Sequence, residues 1–308
     1  MKEEVKVFAP ATVANVSCGF DVLGFCLSPI GDTVIVRKKE QPGVVITKIV
    51  GQDLPLDTKK NVAGVAAEAL LEDLQSNQGF EIEIHKGIKA GSGIGSSAAS
   101  SAGTVFGINA LLGNPYTRYE LIKFAMKGEE LASGTPHADN VSPALLGGFT
   151  IVRCGKGPDV IPIPTPPDLY ATIIHPKIEL KTADARSVLK KNIPLDKAIQ
   201  QWGNLAALVS GLFKADYELI GRSLVDVIIE PERAGLIPQF DAVKLAAKNA
   251  GGLGSGISGS GPSIYTLSKG KENAENVRTA IAEVFAPLQI EFDTYVSKIN
   301  TQGVAIID

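Results

Sequence analysis

Residues 89–101 read KAGSGIGSSAASS, and they stand between two segments of different period. Before them, FEIEIHKGI (80–88) alternates Phe80, Ile82 and Ile84 with charged residues, the pattern of a half-buried strand. After them, Ala98 to Leu112 is free of proline and rich in alanine and apolar residues, enough for about four helical turns. The predicted order is strand, glycine loop, helix. Gly91, Gly93 and Gly95 let the backbone turn sharply and come close to a ligand. Ser96 and Ser97 fall where the first helical N–H groups lack intrahelical acceptors. Unpaired donors, hydroxyls and the positive end of a helix dipole together make an anion site, best suited to phosphate.

Composition sets the frame. The chain has 308 residues, 44% hydrophobic and 20% charged, with a net charge of −3. That length supports one large domain or two smaller ones. The near-neutral balance gives no electrostatic case for nucleic acid or an anionic membrane. The opening MKEEVK is charged and gives no expectation of a secretory signal, and no apolar run approaches a membrane span. Cys18, Cys26 and Cys154 form no C-x-x-C pair, so free thiols and a cytoplasmic setting are expected.

Along the chain, Val5–Phe8, Thr33–Val36 and Val44–Val50 are predicted strands. Asn61 to Leu74 is a predicted helix with Val62, Val65, Ala66, Ala69 and Leu70 on its inner face. Thr117 and Glu120 form a capping box that starts a helix ending near Gly134. VIPIPTPPDL (160–169), with four prolines, is the predicted boundary between units of residues 1–165 and 166–308. Beyond it lie a strand at Tyr170–His175, helices over Lys197–Phe213, Tyr217–Ile228 and before Asn249, and a glycine loop, GGLGSGISGSGPS (251–263). A strand from Ile264, a helix over Asn273–Phe285 and further strands close the chain. Strands and helices mix without strict alternation, which argues for an α+β, two-domain fold.

Three phosphate-loop designs compete for residues 89–101. A Walker A loop needs a Lys after the last glycine, and none is there. A dinucleotide fingerprint matches Gly93-Ile-Gly95-Ser-Ser-Ala98, but no acidic ribose ligand follows at the required distance. The third design, G-x-G-[LI]-G-S-S-[AS]-A, belongs to the GHMP kinases, named for galactokinase, homoserine kinase, mevalonate kinase and phosphomevalonate kinase. GSGIGSSAAS resembles it closely, although Lys89 stands where that family commonly has Pro. Residues 251–263 resemble the family's third motif. A ligand-free glycine turn is the plain alternative.

Other segments narrow the resemblance to the homoserine kinase branch. N-x-x-x-G-F-D-x-L-G spans Asn15 to Gly24, and HADN spans 137–140. Arg186 follows T-A-D-A, and Arg233 lies in EPERAGLIP. The resemblance implies an N-terminal domain like ribosomal protein S5 domain 2 and a C-terminal ferredoxin-like domain, in a family where homodimers are common. It implies transfer of a phosphoryl group from ATP to L-homoserine, with Mg²⁺. It assigns Lys89, Ala90, Gly91, Ser92, Gly93, Ile94, Gly95, Ser96, Ser97, Ala98, Ala99, Ser260 and Gly261 to ATP, with Asn61 on the adenine side. It assigns Asn15, Asp21, Asn140, Arg186 and Arg233 to the amino-acid substrate, and Ser97 and Glu129 to the metal.

Residue chemistry is compatible with those roles. Asp21 can pair with an ammonium, and a guanidinium can meet a carboxylate with two parallel bonds. Read alone, Asn15 and Asp21 suit an ordinary turn, and an arginine suits the surface. Glu129 follows Ile122 and Met126 at helical spacing and so turns inward, which is costly unless a partner or metal meets it. Its plain alternative is a surface pair with Lys123 or Lys127. Asn140 cannot serve as a carboxylate base, which implies catalysis by positioning and charge neutralisation. His137 could be a base or merely structural. Another GHMP kinase, with a mevalonate-type or sugar substrate, and a non-catalytic nucleotide or metabolite sensor are the rivals. An NAD-binding module would need the ribose acid that is missing.

Overall fold

Strands form from alternating and from continuously buried segments, and in the computed structural model they assemble into eleven-stranded β structure. The structure describes residues 2–153, 157, 159–180 and 182–307, so Cys154 lies outside the described residues. The first half runs β1 (Glu4–Ala14), β2 (Leu23–Lys39), β3 (Val44–Val50), α1 (Val62–Asp73), β4 (Gly79–His85), α2 (Ser96–Leu111), α3 (Arg118–Ser133), α4 (Val141–Leu146), β5 (Phe149–Arg153) and β6 (Asp159–Ile163). The second runs β7 (Leu169–Pro176), α5 (Thr182–Ser187), α6 (Leu195–Lys214), α7 (Tyr217–Ser223), α8 (Glu230–Arg233), α9 (Phe240–Asn249), β8 (Gly252–Ile257), β9 (Ile264–Lys269), α10 (Lys271–Phe285), β10 (Phe292–Ile299) and β11 (Ala305–Ile307).

Phe80, Ile82 and Ile84 of β4 point into a core formed with α1, α2 and α3, while Glu81 and Glu83 remain half-exposed. A second cluster, around Phe25, Phe149 and Tyr265, joins the two halves. A third, around Phe240, Val277 and Phe285, packs α9 and α10 on the second sheet. The sheets meet where β10 pairs with β2 at Leu27 and Ser28. The fold is α+β, with the cleft between its halves.

Several expectations need adjustment. The inner face of α1 centres on Ala63, Ala66, Ala67 and Leu70, leaving Val62, Val65 and Ala69 half-buried. The helix from Tyr217 ends at Ser223, because Asp226 gathers the N–H groups of Ile228, Ile229 and Glu230 into a turn. Residues 252–257, expected to be loop, form β8 against β9. After the proline-rich segment the chain enters the second sheet, but β11 returns to pair with β1. Among the described residues, no helix is long and apolar enough to cross a membrane.

Candidate active site

The β4–α2 connection is bent by three glycines with positive φ, at Gly91, Gly93 and Gly95. A Cβ on Gly95 would sit 2.1 Å from Thr12 Oγ1, and one on Gly93 would sit 2.6 Å from the Gly261 carbonyl. The loop therefore needs glycine for close approach as well as for curvature. Gly95 caps α2 without a side-chain hydrogen bond, so the first N–H groups of α2 stay available to an anion. Behind the loop, Ser258 Oγ donates to the Gly93 carbonyl at 2.7 Å and Ser263 Oγ donates to the Ser92 carbonyl at 2.6 Å. The two glycine motifs are thereby stitched together.

The loop borders a cleft of about 1000 Å³, large enough for a nucleotide and a small second substrate. Lys89, Ala90, Gly91, Ser92, Gly93, Gly95, Ser96 and Ser97 line it, as does Ser260. Ile94, Ala98 and Ala99 do not; all three are buried in the core. Gly261 also stays off the wall, and its N–H donates to the Ser258 carbonyl. Asn61 is spent on local structure: Oδ1 caps α1 through Ala63 N–H, and Nδ2 donates to the Pro55 carbonyl. Its neighbours Leu54 and Val62 are the residues that face the cleft.

Glu129 is only 5% exposed, and its Oε1 has no hydrogen-bond partner. The surface-pair alternative fails, since Lys123 binds Asp73 and Lys127 binds Glu130. Burial pushes the Glu129 carboxyl up to about 7, with the Ser97 hydroxyl opposing the shift. Ser96 Oγ is committed to the Ile88 carbonyl, which leaves Ser97 as the loop serine beside Glu129. An unsatisfied buried carboxylate oxygen beside a hydroxyl is a donor pair that fits Mg²⁺, which takes few protein oxygens when phosphates supply others. Among the described residues, no cluster of three or more His, Cys, Asp or Glu side chains could hold a metal alone.

Beside the loop, Asn15, Asp21, His137, Asn140, Arg186 and Arg233 line the same cleft. Asn15 and Asp21 have φ near +60°, unusual for residues with a Cβ, and the Asp21 N–H donates to Asn15 Oδ1. Asn15 Nδ2 donates to the Gly259 carbonyl, tying the N-terminal turn to the third motif. Thr12 Oγ1 donates to Asn140 Oδ1 at 2.8 Å, fixing that amide. Arg233 is 3% exposed and donates to the carbonyls of Ala185 and Gly259. Burial and then Arg186 lower its pKa to about 10, so it remains charged at neutral pH.

Sequence reasoning missed three features. The ring of Phe20 lies 5.4 Å from the Arg186 guanidinium and 5.0 Å from that of Arg233. Its only signal was its place between Gly19 and Asp21. Asp139 is 3% exposed on the cleft wall, and its carboxyl is raised to about 7 by burial, then by Asp21 and Glu129. The third is a buried ion pair under the loop, Lys86 with Asp32. No local pattern announced it.

Comparison with known proteins follows the same lines. Residues 61–148 match the family described as GHMP kinases N terminal domain, and residues 205–287 match GHMP kinases C terminal. A homoserine kinase of Chloroherpeton thalassium is 46% identical, covering 99% of this chain and 100% of its own length. The crystal structure of homoserine kinase from Cytophaga hutchinsonii is 52% identical with a TM-score of 0.96, covering 100% of this chain and 98% of that one. L. major mevalonate kinase, at 16% identity and a TM-score of 0.74 over 97% of this chain and 98% of that one, shares the fold. This chain belongs to the homoserine kinase family, a branch of the GHMP kinases.

Proposed function

We propose that the chain transfers the γ-phosphoryl group of ATP to the side-chain hydroxyl of L-homoserine, giving ADP and O-phospho-L-homoserine on the way to threonine. One observation carries this reading. A phosphate-type loop and a pocket offering one carboxylate and two guanidiniums open into the same cleft. An α-amino acid with a hydroxyl is the acceptor whose ammonium and carboxylate use both signs.

In this reading the N–H groups of the loop and of α2 hold the phosphates of ATP. Arg233 and Arg186 receive the substrate carboxylate, Asp21 the ammonium, and Asn15 and Asn140 orient the hydroxyl end. Glu129 and Ser97 would hold a Mg²⁺, which when bound neutralises phosphate charge. The hydroxyl oxygen bonds to the γ-phosphorus as the bond to ADP breaks, and the hydroxyl proton is released. Holding the two reactants in line and shielding charge accounts for catalysis of such a loose transition state. We divide the chain at the proline-rich segment, with residues 1–165 the ATP-binding unit and 166–308 its C-terminal partner. The buried free thiols of Cys18 and Cys26 support a reducing, cytoplasmic setting. Exposed Leu195, Ile199, Trp202 and Phe213 on α6 support self-association as a homodimer.

The test is ADP release with Mg-ATP across L-homoserine, L-serine, L-threonine, mevalonate and galactose. Strong preference for L-homoserine is expected; equal turnover with mevalonate would remove the substrate assignment. Arg233→Ala should then raise the Michaelis constant for homoserine roughly 10- to 150-fold, the worth of a bond to a charged group. The constant for ATP should barely move. Arg233→Lys should recover only part, since an ammonium cannot reproduce the planar fork. Loss of ATP affinity with homoserine affinity intact would assign Arg233 to the nucleotide instead.

A further inference from the structure

The two groups proposed to hold opposite ends of the substrate hold each other in this structure. Arg186 Nη2 donates to both carboxylate oxygens of Asp21, at 2.9 and 3.0 Å. The same nitrogen lies 3.1 Å from His137 Nε2, and His137 Nδ1 lies 3.7 Å from Asp21 Oδ1. Both members of the pair are partly open to the cleft, with side chains 40% and 30% exposed. Arg233 differs: backbone carbonyls fix it from behind, and the Phe20 ring lies near it. Arg186 has only side-chain partners among the described residues, namely Asp21, His137 and the Phe20 ring.

We propose that the Asp21–Arg186 ion pair is a lock that only a zwitterion opens without loss. An α-amino acid replaces one ion pair by two, its ammonium meeting Asp21 and its carboxylate meeting Arg186. Every charge that loses a partner gains another. A ligand with a carboxylate alone that takes Arg186 Nη2 strips Asp21 of its partner. A ligand with an ammonium alone strands Arg186 in the same way. The pair therefore penalises single-charge acceptors in addition to the contacts they fail to make. Selectivity arises from a cost imposed on the wrong ligand as well as a gain for the right one. His137 stands beside both groups.

This inference rests on the proposed homoserine reading, and one experiment separates the two. Homoserine stripped of its amino group is 4-hydroxybutyrate; stripped of its carboxyl group it is 3-aminopropan-1-ol. Dissociation constants for both, and for L-homoserine, are measured by titration calorimetry on wild type and Asp21→Asn, with steady-state kinetics for homoserine alongside. Melting temperatures verify that the near-isosteric variant is folded. Asp21→Asn should weaken homoserine binding, yet tighten 4-hydroxybutyrate binding roughly tenfold over wild type, because Arg186 is released. A residue that was only structural would not yield that gain. 3-Aminopropan-1-ol should lose affinity in the variant. Unchanged or weaker 4-hydroxybutyrate binding in Asp21→Asn overturns the lock and leaves the homoserine reading standing. Wild type that neither binds nor phosphorylates homoserine overturns both.

Discussion

Glu129→Gln is expected to lower turnover by roughly 100-fold or more at ordinary Mg²⁺ while making the ligand-free protein more stable. The two effects share one cause. The carboxylate is 5% exposed, and its Oε1 is unpartnered. In the proposed reading that free oxygen would ligate Mg²⁺ when Mg-ATP binds, and charge neutralisation on phosphate would contribute several kcal/mol. Without it, the group is a buried charge that burial opposes, as the rise to about 7 records. Its ordinary value is 4.5, so the folded state binds the extra proton between pH 4.5 and about 7. This raised acid therefore makes the folded protein lose stability as pH climbs through that window, by about 3 kcal/mol once ionised. A neutral amide removes that loss. Thermal melts of ligand-free wild type should decline from pH 5 to 8 more steeply than those of Glu129→Gln. Turnover of the variant should recover in part with excess Mg²⁺, and wild type at limiting Mg²⁺ should lose activity below about pH 7. Unchanged turnover, Mg²⁺ dependence and melting would show that Glu129 has no part in metal binding.

Glu129 was legible in the sequence because a helix period carries it. Ile122 and Ala125 lie on the buried face of α3 with Met126 half-buried at its edge, and the capping box at Thr117 and Glu120 fixes the helix start. The β4–loop–α2 unit was legible for the same reason, since alternation, glycine and a proline-free run are local signals. Ser97, the loop serine expected to share a metal with Glu129, has its hydroxyl beside that carboxyl. Asn61 is hard to read because a cap and a ligand want the same residue type, and its side chain caps α1. Residues 252–257 misled because glycine signals looseness, whereas in β8 it makes room. A Cβ on Gly256 would meet the Tyr265 ring and hydroxyl within about 3 Å. Pairings across the chain left no trace at all. Asp21 and Arg186 are 165 positions apart, and Asp32 and Lys86 are 54 apart. No period or cap links such residues; only the completed sheets bring them together.

Lys86→Met is expected to be among the most damaging single changes, although Lys86 carries none of the roles proposed for substrate or metal. Its side chain is 2% exposed and that of Asp32 is 0% exposed, so the pair is fully removed from water. Lys86 Nζ donates to Asp32 Oδ2, to Ser100 Oγ at 2.9 Å and to the Ser96 carbonyl at 3.0 Å. Asp32 also accepts from Ser100 Oγ and from the N–H groups of Gly87 and Ile88. One ammonium thus ties β2, the end of β4 and the first turn of α2 into a single unit beneath the glycine loop. Removing it leaves a buried carboxylate without its counter-charge, which costs about 3–5 kcal/mol. Neutralising both partners avoids that penalty. Lys86→Met combined with Asp32→Asn should therefore unfold at a denaturant concentration much closer to wild type than the single variant does. The double variant should still bind ATP more weakly than wild type, because the Ser96 carbonyl at the start of α2 then keeps the Ser100 hydroxyl but loses its ammonium donor. A single variant within about 1 kcal/mol of wild type would show that water or a shifted side chain compensates the pair. A double variant with wild-type ATP affinity would show that the pair stabilises the fold without positioning the loop.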